Sequence, residues 1–211
     1  MPTPSQMLCA ALAAGCLSYA PPAGAHHHPH PPPPVVAEHP PLLVRLGLEA
    51  SAPREGGAVG VQLGIEGRRW GVTTRLTGLS LKADDGTSGR SLFQLGEAHV
   101  TFAPAIGERG RLRLEGGVAT VRAPAATFVG PSVALSFERC LWSAWDLEGR
   151  LQWVPLPHLQ LDAHLGLAVH LGVLTLRAGW RGLWLDDRGL VDGEVHQGRL
   201  SGPFAGLGLS F

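Results

Sequence analysis

Asp162 and His164 stand two residues apart in LQLDAHLGLAVHL, residues 159–171. On an extended chain that spacing puts both side chains on one face, where a carboxylate could orient an imidazole base. A hydrolytic relay also needs a nucleophile in contact with the imidazole. No G-x-S-x-G stretch and no His-x-Ser pair supplies a serine. His164 and His170 are six apart, roughly 20 Å along a strand, too far to share one metal ion. Asp84 and Asp85 in ADDGTSG lack the spacing of a calcium loop and read as a turn. The three cysteines, Cys9, Cys16 and Cys140, form neither a CxxC pair nor a zinc spacing with histidine. The sequence therefore implies no catalytic residue, no cofactor and no metal site.

Composition narrows the classes further. Seventeen basic and 17 acidic residues cancel, which excludes a global field for nucleic acid. Hydrophobic residues make up 45% of the chain, so the body is packed or membrane-embedded, not disordered.

Residues 1–25, MPTPSQMLCAALAAGCLSYAPPAGA, hold an apolar run from Met7 to Ala20 and then Ala23-Gly24-Ala25. That is the pattern of a secretory signal peptide, too short to span a bilayer as a helix. Cleavage after Ala25 competes with lipidation at Cys16, since Ala13-Ala14-Gly15-Cys16 resembles a lipobox. Residues 26–41, HHHPHPPPPVVAEHPP, read as an extended linker, because proline blocks both helix and central strand. His26, His27, His28 and His30 could bind a divalent metal weakly; a solvated linker is the plainer reading.

From residue 42 to residue 211 the pattern has period two. In 159–171, Leu159, Leu161, Ala163, Leu165, Leu167, Val169 and Leu171 share one parity. The other carries Gln160, Asp162, His164, Gly166, Ala168 and His170. In 173–185, Leu174, Leu176, Ala178, Trp180 and Trp184 oppose Thr175, Arg177, Gly179 and Arg181. Such alternation argues strand, not helix. Ten segments show it, at roughly 42–52, 57–67, 70–82, 91–103, 111–121, 127–138, 143–154, 158–170, 173–185 and 198–211. Most are longer than the 5–6 residues common in globular sheets and match the roughly 9–11 of a tilted strand crossing a bilayer. Aromatic residues near segment ends resemble interfacial girdles: Trp70, Phe93, Phe102, Trp142, Trp145, Trp153, Trp184 and Phe211.

The stretch GPFAGLGLSF, residues 202–211, resembles the terminal signature of Gram-negative outer-membrane β-barrel proteins: a Phe preceded by apolar residues at every second place. In pattern the chain looks like a small OmpA-like or OmpX-like barrel. The resemblance implies an all-β fold, an antiparallel up-and-down transmembrane barrel of about 8–10 strands behind a signal peptide, and location in the cell outer membrane. It also implies partners, namely outer-membrane lipid and the barrel assembly machinery. Phe211, Leu209, Leu207 and Ala205 would be the positions that machinery recognises. Connections after odd segments would face outside. The two longest polar ones, 83–90 and 186–197, are the candidates for contact with an extracellular partner.

In such a barrel the polar parity faces the lumen. It carries Arg45, Glu49, Glu66, Glu97, Arg111, Arg113, Glu115, Asp146, Glu148, Arg150, Asp162, His164, Arg177 and Arg181, with Arg75, His99 and His170 beside them. Side chains can fill a lumen of this size. The expectation is a non-enzymatic barrel, structural, adhesive or a narrow channel. The alternatives are a barrel-embedded lipid-modifying enzyme built on Asp162 and His164, and a secreted soluble β-barrel binding an apolar ligand.

Overall fold

The computed structural model describes residues 42–53, 56–82, 90–107, 109–123, 126–191 and 193–211. The export segment, the His/Pro-rich linker and the 83–89 connection lie outside the described residues. The period-two segments form ten strands: β1 Leu43–Ser51, β2 Gly56–Glu66, β3 Trp70–Lys82, β4 Arg90–Gly107, β5 Gly110–Arg122, β6 Thr127–Trp142, β7 Trp145–Val154, β8 Leu159–Leu171, β9 Leu174–Asp186 and β10 Gln197–Ser210. Each strand pairs antiparallel with the next, and β10 returns to β1, so the sheet closes. The closing pair sets Leu46 opposite Leu209 and Leu48 opposite Leu207. Closure leaves no row of open backbone donors and acceptors.

Ten strands fall at the upper end of the expected range, with two adjustments. β4 runs four residues past the expected 103, to Gly107, and its pairing with β5 slips between Phe102 and Ala105. Pro104 has no N–H to give the ladder, which puts the irregularity there. β6 extends to Trp142, with a second irregularity between Cys140 and Trp142.

The parity of each strand resolves into an inside and an outside. Leu48, Val59, Leu76, Leu92, Val129, Leu165 and Leu207 are exposed on the outer wall. Arg113, Glu115, Arg150, Asp162 and Arg181 are buried within. Two aromatic bands flank the outer apolar wall. At the end carrying the short turns, Trp70 lies 4.7 Å from Phe102, and Trp142 pairs with Trp145. At the other end Trp153 and Trp184 face outward, and midway along β9 the Trp180 indole donates to Ser201 at 2.8 Å.

Phe93 departs from the expected girdle. It points inward and packs on a cluster of Ala58, Leu79, Leu95, Val121, Leu183 and Leu200. These residues sit on the lumen parity at the loop ends of β2, β3, β4, β5, β9 and β10. The barrel thus has an apolar core after all, confined to the upper mouth of its lumen.

Candidate functional site: the lumen

Below the apolar cluster the lumen is filled by ion pairs in three groups. Nearest the short turns, Arg113 donates to Glu66 at 3.0 Å and to Glu138 at 2.9 Å. Arg45, on the far side in sequence, closes on Glu138 with both nitrogens. Arg111 donates to Glu66 at 2.9 Å and to the carbonyl of Gly67 at 2.8 Å, tying the β2–β3 turn to β5.

The central group turns on Arg150. Its Nε donates to Glu115 at 3.0 Å, and its Nη atoms reach Glu97 at 3.0 and 3.1 Å. Arg75 lies 3.5 Å from Glu97 and donates to Gln62 at 3.0 Å. Ser132 Oγ sits 2.9 Å from both His99 Nε2 and Gln152 Nε2. In the third group Arg181 holds Asp162 and reaches Glu49 at 3.2 Å, while Arg177 lies 3.4 Å from Glu148. Buried charges survive when paired and hydrogen-bonded in this way. A cavity of about 100 Å³ remains between the groups, lined among others by Arg45, Glu49, Gln62, Arg75 and Arg177.

All fourteen expected lumen residues lie on the inner face. Glu138 was missed, although it receives Arg45 and Arg113. The sequence signal was its shared parity with Ser132, Ala134 and Ser136 in β6. Asp162 and His164 do share a face, but Arg181 occupies both carboxylate oxygens of Asp162. His164 instead packs edge-on against Phe204, ring centres 5.8 Å apart.

The carboxylate–imidazole–hydroxyl contact that does form is elsewhere. His170 Nε2 lies 2.9 Å from Asp146 Oδ2, and its Nδ1 lies 3.1 Å from Thr175 Oγ1. That order is the one a nucleophilic relay uses. Thr175 is only 1% exposed, however, which leaves no room beside its hydroxyl for a substrate carbonyl. Among the described residues no group of three or more His, Cys, Asp or Glu is placed to hold a metal ion.

Outside the barrel strands, the β9–β10 connection is a built structure. Asp187 accepts from the backbone N–H of Gly189 at 3.0 Å and of His196 at 2.7 Å. The His196 ring adds a contact of 2.9 Å. Val191 and Glu194 form a bridge, and Gly193 turns the chain with φ 77°. Burial pushes the Asp187 carboxyl up, but these hydrogen bonds outweigh it and hold it below the ordinary aspartate value. The same carboxylate raises His196 above the ordinary histidine value.

No family model matches the chain, and no curated protein matches its sequence. Among solved structures, Neisserial surface protein A (NspA) aligns over 81% of this chain and 96% of its own, at 12% identity and a TM-score of 0.31. CdiB from Acinetobacter baumannii aligns over 68% of this chain, at 10% identity and a TM-score of 0.34. The copper transporter OprC aligns over 70%, at 12% identity and a TM-score of 0.29. The chain spans 38% of CdiB and 28% of OprC. Likeness at this level assigns neither an activity nor a ligand.

Proposed function

We propose that the chain is an integral outer-membrane barrel with a sealed lumen, which presents the segments 83–90 and 186–197 at the cell surface and catalyses no reaction. The observation that carries this reading is the inverted polarity of the wall. Large apolar side chains cover the outside, and the ion pairs and His–carboxylate contacts found among the described residues lie almost entirely within. Water on the outer wall would face an apolar surface far larger than the few hundred Å² that soluble monomers tolerate. Lipid reverses the sign of that cost, and the aromatic bands sit where headgroups would be.

The sealed lumen rests on two layers. The apolar cluster closes the loop end, and the ion-pair groups fill the rest. The remaining cavity of about 100 Å³ has room for a few waters. With the short turns inside the periplasm, the long connections face outward, as in known barrels. Phe211, Leu209, Leu207 and Ala205 all project from the outer wall of β10 and its end, where the assembly machinery would meet them.

Two measurements on one preparation test this. Outer membranes from a Gram-negative host expressing the chain are run boiled and unboiled on a denaturing gel, and the purified barrel is placed in a planar bilayer. A band that shifts on boiling, with a silent bilayer, is the expected result. A soluble protein without the shift would overturn the membrane reading; steady conductance steps would overturn the seal.

A further inference from the structure

We infer that the turn end of the barrel carries a binding face for the phosphate headgroups of anionic phospholipids, formed by Arg68, Arg69, Arg109 and Arg139. This rests on the membrane reading and adds the chemistry of the lipid. All four side chains are exposed. Among the described residues none of their guanidiniums has a hydrogen-bond or ion-pair partner. The carboxylates nearest this end, Glu66, Glu138 and Asp146, are turned into the lumen and engaged there. Glu108 lies outside the described residues.

The four arginines form one contiguous stretch of rim. The Arg69 carbonyl accepts from Ala103 N at 2.7 Å, and Arg111 donates to the Arg68 carbonyl, so the β2–β3 turn leans on β4 and β5. The Arg109 carbonyl accepts from Cys140 N at 2.8 Å, and Gly110 pairs with Arg139. Trp70, Trp142 and Trp145 stand exposed along the same stretch. Tryptophan settles at headgroup depth, and a guanidinium fork matches phosphate oxygens bidentately.

The opposite side of the same rim is different. The β8–β9 turn exposes the apolar side chains of Leu171 and Val173, with Phe211 beside it and no basic side chain among them. The loop end is different again, since 186–197 carries Asp186, Asp187, Asp192 and Glu194 against Arg188. Exposed basic side chains without a counter-charge thus gather in one sector of one rim, while the 186–197 connection at the far end is net acidic. A general affinity of barrels for lipid would not produce that asymmetry.

The test is refolding of the chain from urea into phosphatidylcholine vesicles and into vesicles with about one-third phosphatidylglycerol. The wild type is expected to fold into both, with a preference for the anionic vesicles that fades as salt rises from about 0.05 to about 0.5 M. Arg68→Gln/Arg69→Gln/Arg109→Gln/Arg139→Gln should fold into phosphatidylcholine like the wild type and lose most of the preference, about fivefold per arginine. Arg122→Gln/Arg199→Gln, at the loop end, should keep it. Equal folding of the wild type into both vesicles, a salt-independent preference, or equal losses in the two variants would overturn the lipid face while leaving the barrel in the membrane. Failure of the wild type to enter either vesicle would overturn the membrane reading itself. Should the fourfold variant not fold into phosphatidylcholine, the wild-type salt dependence and Arg109→Gln/Arg139→Gln decide.

Discussion

Arg181 grips Asp162 with one edge of its guanidinium, Nε 3.1 Å from Oδ1 and Nη2 2.6 Å from Oδ2. Both side chains are almost wholly buried, at 7% and 3% exposure. Removing either partner strands a charge in the lumen, which costs about 3–5 kcal/mol. Arg181→Met and Asp162→Leu should each lower the urea midpoint of the barrel in detergent, followed by tryptophan fluorescence. The double variant should recover the share of the loss that belongs to the pair, while Glu49, which Arg181 also holds at 3.2 Å, keeps a residual cost. A double variant as unstable as the sum of the singles would show that the pair is not the unit of stability.

Leu183 is 4% exposed in the apolar cluster at the loop end of the lumen. Leu183→Ala should cost about 2–5 kcal/mol, the range for a truncated core leucine. The planar bilayer should stay silent, since the Arg150 and Arg181 groups below are untouched. Conductance from this single change would mean that the apolar cluster alone seals the barrel.

Gly166 and Gly179 pair across β8 and β9 and make the slot that Phe204 fills from β10. A Cβ on Gly179 would stand 2.2 Å from the Leu165 carbonyl oxygen and 2.5 Å from the Gly166 Cα. Those are backbone atoms and cannot swing away. Gly179→Ala should therefore destabilise by about 1–3 kcal/mol, as overpacking does. Phe204→Leu on that background should recover only part of the loss, since it removes the ring atom 2.8 Å from the new methyl but leaves the two closer backbone contacts. Full recovery in the detergent unfolding midpoint would contradict the backbone clash.

The ladder was legible in the sequence because a strand's parity is a local property. Leu165 and Leu167 against Asp162 and Gly166 already separate lipid from lumen, and ten such segments became ten strands. The apolar cluster was not legible. Leu183 and Leu200 are the same residue types as the outer wall, so residue type alone hides that they share the inward parity of Arg181 and Gly202. Phe93 was misplaced for the same reason. The pairing of the charges was out of reach in a different way. Arg45 and Glu138 are 93 residues apart and meet across the lumen. Which inward residues face each other depends on the stagger of the closed sheet, which no single segment contains.

The clamp between Asp187 and His196 should make the outer connection pH-sensitive. His196 is raised from 6.5, so the stabilisation from its protonated form is complete below that value and is lost as pH rises through its folded pKa. Asp187 is lowered from 3.8, so its share is complete above that value and is lost as pH falls through its folded pKa. The connection should thus be held most firmly between about pH 4 and about pH 6.5. Amide exchange at Gly189 and His196 should be slowest in that window, after correction for the intrinsic rate, and should quicken above it. Asp187→Asn should return the His196 titration toward the ordinary histidine value and remove the minimum. A His196 titration unchanged in that variant would show that the carboxylate is not what holds the ring.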